Sequence, residues 1–221
     1  MSEDLLQMRR SVRSFRSTSV PQPLLEEILG QAALAPSWAN TQPWEVVMVG
    51  GNKLAELGDA FCSHLEAEEP PQPDFPMPGH AWPYPYQERI TALAMKLFAQ
   101  AGIARGDREA RLAHYRRMYR AFGAPHLALV CLDSSLTFPY PLLDAGAFVQ
   151  TLCLAAAGRG LGTCILAAVA RYPDTARRVL ALPPEKKVVV GVALGYADEE
   201  SPYNRFRSER EPLASFVTWR S

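Results

Sequence analysis

Arg9-Arg10-Ser11-Val12-Arg13-Ser14-Phe15-Arg16 is the stretch around which the rest of the chain is read. Its first five residues hold three arginines and a serine, after a short amphipathic lead-in and ahead of Pro21-Gln22-Pro23. Arginine forks engage phosphate oxygens bidentately, and hydroxyls or free amides at a bend complete such a cage. On this stretch alone two readings stand open: an anion site, or a solvated basic run or targeting arm.

The background is neutral. Lys+Arg and Asp+Glu each total 23 among 221 residues. No global field therefore draws the chain to nucleic acid or an anionic membrane, and a local basic cluster stands out. Cys62, Cys131, Cys153 and Cys164 are widely spaced, and three lie in apolar runs. That is the pattern of buried, reduced thiols in a cytoplasmic protein. His64, His80, His114 and His126 show no paired ligand spacing, so no metal is expected. No apolar stretch reads as a membrane span, and Glu3 and Asp4 oppose a secretory or transit signal.

Outward from the arginines, residues 3–10 read as a short helix carrying Leu5, Leu6 and Met8. Pro23 opens a stronger helix with Leu25, Ile28, Leu29, Ala32 and Ala33 on one stripe, ending near Ala35-Pro36. A polar and aromatic loop over 35–44 leads into a strand, Glu45–Val49, stopped by Gly50-Gly51, with a helix over 52–67. Residues 70–86 hold seven prolines with Phe75, Trp82, Tyr84 and Tyr86, and fit either an ordered covering loop or a linker. Residues 87–121 read as helical, with acids among the arginines, so a solvated face outweighs a nucleic-acid patch.

Further strands are expected at 127–132, 163–167 and 188–196. Between them, the helix from Leu142 to Ala157 is apolar almost all round and rich in small residues, which suits a molecular centre or a subunit interface. Pro173-Asp174 starts a helix to Leu182, and residues 202–213 bring arginines back near the end. The whole, 1–221, reads as one α+β domain with a Pro- and aromatic-rich lid or insert around 70–121.

No G-x-S-x-G, Walker A loop, G-x-G-x-x-G after a strand or H-E-x-x-H occurs, so the chemistry is assigned to a bound cofactor rather than to a catalytic side chain. The arginines at 9–13 and 205–210 could converge on one phosphate. Arg9-Arg10-Ser11-x-Arg13-x-Phe15, Ala35-Pro36-Ser37-x-x-Asn40-x-Gln42-Pro43-Trp44, Gly160-Leu161-Gly162-Thr163 and Arg207-Ser208-x-Arg210-x-Pro212-Leu213 together resemble the FMN-dependent nitroreductase family. The motifs occur in family order and span nearly the whole chain.

The resemblance implies a three-layer sandwich, with an antiparallel-rich central sheet between helices, built as an obligate homodimer with FMN at the subunit interface. By motif, Arg9, Ser11 and Arg210 would hold the flavin phosphate, with Arg10 and Ser208 beside them. Arg13 would lie near flavin N1 and the C2 carbonyl, where a cation favours the reduced ring. Pro36, Ser37, Asn40 and Gln42 match a loop supplied by the partner subunit, and Ala167, Ala168 and Val169 a segment whose backbone faces the ring. This chain lacks the Pro-x-Glu-Gly that some relatives carry at that bend, and has Ser208 where some have lysine.

The implied activity is two-step hydride transfer through flavin N5, from NADH or NADPH to a nitroaromatic or quinone acceptor. Trp38, Tyr84, Tyr86 and Phe122 are candidates to line the substrate pocket, with ordinary packing as the competing account of each. Ene reduction, reductive dehalogenation and non-catalytic flavin binding are the alternatives.

Overall fold

Along Leu127–Leu132, side chains enter two different cores in strict alternation. Leu127, Leu129 and Cys131 join one apolar cluster, while Ala128, Val130 and Leu132 join the other. A strand buried on both faces must be covered on both faces, and the chain supplies helices for each.

The computed structural model describes residues 4–77 and 81–220. The expected helix start at Glu3, and His80, lie outside them. The strands β1 (Glu45–Gly50), β2 (His126–Asp133), β3 (Gly162–Leu166) and β4 (Lys186–Gly195) form one sheet in the order β1-β2-β4-β3. Every neighbouring pair is antiparallel, with a bulge at Val130/Cys131.

Leu25 and Ile28 of α2 (Gln22–Ala32) and Phe148 and Leu152 of α6 (Tyr140–Gly158) pack on one face of the sheet. Leu57 and Phe61 of α3 (Gly51–Glu66), Tyr119 of α5 (Arg108–Tyr119) and Ala176 of α7 (Pro173–Leu180) pack on the other. Helix, sheet and helix make the three-layer α+β sandwich. The remaining α-helices among the described residues are α1 (Asp4–Met8), α4 (Tyr86–Gln100) and α8 (Pro202–Arg205).

Two expectations are corrected. The helix over 87–121 is two helices, α4 and α5, parted by a turn with Gly102 at φ +73° and restarted by Asp107, whose Oδ1 accepts from Ala110 N–H. Phe122, a pocket candidate, is 4% exposed and packs against His114. Finally, α6 does have the length and hydropathy of a membrane span, with 44% of its most apolar 18 residues buried. Phe148, Leu152 and Ala156 of α6 are enclosed by α2 and the sheet, while Leu143, Gly146 and Gln150 stay exposed.

The proline-rich segment is tied down at its start. Asp74 accepts from both Nη atoms of Arg177, at 2.8 and 3.0 Å, and from Val188 N–H at 2.8 Å. Burial pushes the Asp74 carboxyl up, but Arg177, the Val188 amide and Lys187 outweigh it and hold the group below its ordinary value. Tyr172 Oη also donates to Glu69 O at 2.8 Å.

Candidate functional site

The arginine stretch is held extended between two elements. Val12 N–H donates to Thr163 O of β3 at 2.8 Å, and Ser11 bridges Thr163 in parallel. On the other edge Arg16 N–H donates to Tyr196 O, and Asp198 N–H to Ser14 O. Val12 and Phe15 turn into the core, which leaves Arg9, Arg10, Ser11 and Arg13 to line a concavity.

Gly162 makes the approach to β3 possible. A Cβ there would stand 2.6 Å from Val12 Cγ2, well inside contact distance. Asn204, 2% exposed, fixes the far side: its Oδ1 accepts from Arg13 N–H at 2.7 Å and its Nδ2 donates to Ser14 O and Asp198 O.

The two arginine clusters converge. Arg9, Arg10, Ser11 and Arg13 share a cavity of about 510 Å³ with Phe206, Arg207, Ser208 and Arg210, walled by Leu93 of α4. Arg16 is exposed and takes no part. Ion pairs from Lys96 to Glu209 and Arg89 to Glu211 hold α4 against the 206–212 segment.

The donor set calls for an anion. Arg10 pairs with Glu199, yet its Nε is buried with no hydrogen-bond partner. Arg9, Arg13, Arg207 and Arg210 have no ion pair among the described residues, and Arg210 turns its Nη1 onto Ser208 Oγ at 2.7 Å. Burial and the charge on Arg10 push the Arg207 guanidinium down. Converging guanidiniums, of which only Arg10 is ion-paired among the described residues, are suited to hold an anion such as phosphate.

Arg13 also borders an aromatic enclosure. His114, 5% exposed, lies among Phe98, Tyr115, Phe122 and Tyr203, with its Nδ1 buried and unpartnered. Burial, and then Arg13 and Arg117, push its pKa down to about 4, so the ring is neutral at pH 7.

The structure does not bring the other candidates to this cavity. The 36–42 loop sits on the N-terminal half of α6, where Trp38 N–H donates to both Asp144 oxygens at 3.1 and 3.2 Å. Ser37 Oγ accepts from Gln42 N–H at 2.9 Å, and Ala39, Asn40 and Gln42 all have positive φ. Positive φ is strained for residues with a Cβ, and here the short loop is over-determined by Asp144 and Ser37.

Ala157, at the other end of α6, borders Arg9 and Arg10. Thirteen residues of helix therefore part the loop's anchor from the arginines, roughly 20 Å. Pro36, Asn40, Gln42 and Trp38 are exposed, Trp38 at 63%. Ala167 follows β3, five residues beyond Gly162 or roughly 16 Å along the strand. It is exposed, while Ala168 and Val169 are buried. Tyr84 and Tyr86 are exposed at 81% and 50% at the start of α4.

A sequence profile of the nitroreductase family matches residues 6–196. The chain belongs to the nitroreductase family. It is 33% identical over 220 residues to a 4-nitrobenzoate reductase of Nocardioides sp., covering 96% of this chain and 86% of that one. Similarity to the nitrobenzene nitroreductase of Ectopseudomonas oleovorans is 32% identity over 221 residues, with 98% and 96% covered. The FMN-dependent nitroreductase NfnB of Mycobacterium smegmatis, solved in complex with NADPH, superposes with a TM-score of 0.93 at 32% identity, over 99% of this chain and 97% of that one.

Three residues of this family member escape motif reading. Asp144 is an acid inside an apolar helix, and that misplacement was the one signal available. Asn204 and Leu93 carry no local signal, because their roles depend on partners far away in the chain.

Proposed function

We propose that the chain is an FMN-dependent NAD(P)H oxidoreductase that reduces nitroaromatic or quinone-type acceptors. The observation that carries this is the cavity where Arg9, Arg10, Ser11, Arg13, Ser208 and Arg210 converge, with Arg10 alone among its arginines ion-paired among the described residues, in a chain of this family. Bound FMN would supply the two-electron chemistry, accepting hydride from NADH or NADPH and passing it to the acceptor.

The chain's own residues bind and orient. Arg9, Ser11 and Arg210 would hold the phosphate, assisted by Arg10 and Ser208. Arg13 would present a fixed cation at the ring edge, and neutral His114 beside it leaves that charge undivided. The backbone of Ala167, Ala168 and Val169 would face the ring. Trp38, Tyr84 and Tyr86 are exposed aromatics suited to stacking on planar substrates.

A homodimer completes the site in this reading. Pro36, Ser37, Asn40 and Gln42 are too far along α6 to meet their own chain's arginines, so a partner subunit's loop would supply them. The exposed α6 face, with Leu143 at 69%, and the tail residues Leu213, Phe216 and Trp219, at 67%, 68% and 86%, give apolar surface for that contact. Residues 70–121 would form the lid, anchored through Asp74 and bearing α4 over the cavity. Four buried free cysteines suit a reducing cytoplasm.

Purified protein should be yellow, release FMN on denaturation and bleach anaerobically with NADH or NADPH, regaining colour when 4-nitrobenzoate is added. Arg9→Ala with Arg210→Ala should abolish flavin retention. Undiminished flavin binding in that double variant would contradict the phosphate assignment.

A further inference from the structure

A second concavity lies on the face of α4 turned away from the arginine cavity. Ile90, Met95 and Phe98 of α4 and Ile103 of the following turn line a groove of about 690 Å³ that ends at Arg105 and Arg111. That volume is within the ~300–1,000 Å³ of small-molecule sites. Ile90 and Met95 remain 44% and 59% exposed, and the Phe98 ring is held edge-on against His114 at 5.2 Å.

The two arginines differ from Arg108 and Arg116 of α5. Arg108 and Arg116 are ion-paired to Glu68, Glu66 and Glu109. Arg105 and Arg111 have no ion pair among the described residues, and Arg111 Nε is buried with no hydrogen-bond partner. An apolar channel closed by an uncompensated guanidinium fits a ligand with a flat hydrophobic body and an anionic end.

We propose that this groove binds a planar aromatic carboxylate, its ring against Phe98 and Met95 and its carboxylate on Arg111, with Arg105 at the rim. The groove opens away from the arginine cavity, so binding of the acid does not rest on the reading of the chain as a nitroaromatic reductase.

The test is calorimetric titration of the FMN-loaded protein with 4-methylbenzoate, which carries no reducible group, and with its neutral methyl ester. The acid should bind and the ester should not compete with it. Arg111→Gln should weaken the acid about tenfold, the worth of one charge-assisted hydrogen bond, and Arg111→Lys should lose less. Equal binding of acid and ester, or an Arg111→Gln protein that binds the acid as tightly as the parent, would overturn the proposal, as would a groove covered by a second copy of the chain. Arg111-dependent binding without turnover of any nitro compound would keep the site and sink the reductase reading instead.

Discussion

Replacing His114 by phenylalanine should remove a large part of the protein's sensitivity to mild acid. The ring is enclosed by Phe98, Tyr115, Phe122 and Tyr203, with Nδ1 unpartnered, so a phenyl ring replaces it without stranding a polar atom. Burial, Arg13 and Arg117 lower the folded-state pKa from 6.5 to about 4. Between those values the unfolded chain takes up a proton that the folded chain refuses, so stability falls as pH falls. His114 therefore costs nothing above pH 6.5, and its destabilising effect is complete near pH 4. At ~1.4 kcal/mol per pH unit over that interval, the loss is ~3 kcal/mol. Urea unfolding at fixed protein concentration, run across this range on parent and His114→Phe, isolates the effect, because carboxylates and His126 titrate in both. The parent should lose ~3 kcal/mol relative to the variant between neutral pH and pH 4. Parallel pH profiles would refute the buried, neutral histidine.

Gly162→Ala should push Val12 off β3 at a cost of about 1–3 kcal/mol, since its Cβ would meet Val12 Cγ2 at 2.6 Å; thermal melting should show the loss, with Val12→Ala restoring it in the double variant. Asp144→Ala leaves the Trp38 N–H without its acceptor, which should cost about 1–3 kcal/mol and release flavin more readily under dialysis if that loop serves a flavin site. Asp74→Asn leaves Arg177 without its buried counter-charge and should destabilise by ~3 kcal/mol at neutral pH. Because the Asp74 pKa is depressed, its contribution is present above the ordinary 3.8 and is lost as pH falls through the lower folded value. Chemical denaturation should therefore show parent and Asp74→Asn converging in acid.

Much of the secondary structure was legible because it is written locally. The apolar stripe of α2 and the valine run of β4 each announce period and type within about ten residues. The turn between α4 and α5 was not, although Gly102, Gly106 and Asp107 signal it, because arginine-rich helix formers lie on both sides and no proline marks the break. Phe122 was left undecided for a related reason: an aromatic after a basic helix has the same local signature at a pocket or in a core. α6 was recognised as central, but its composition left undecided which of its faces would be covered, and by what.

For the candidate site, the residue types at 9–13 and 207–210 by themselves determined that an anion could be held, since guanidinium chemistry does not depend on context. Tertiary structure alone decided that these segments meet, as in the Arg13–Asn204 hydrogen bond across 191 positions. It also decided that the 36–42 loop stands apart on α6 and that His114 is buried beside Arg13. Such facts follow from which faces of distant elements pack together, and no local pattern of residues encodes them.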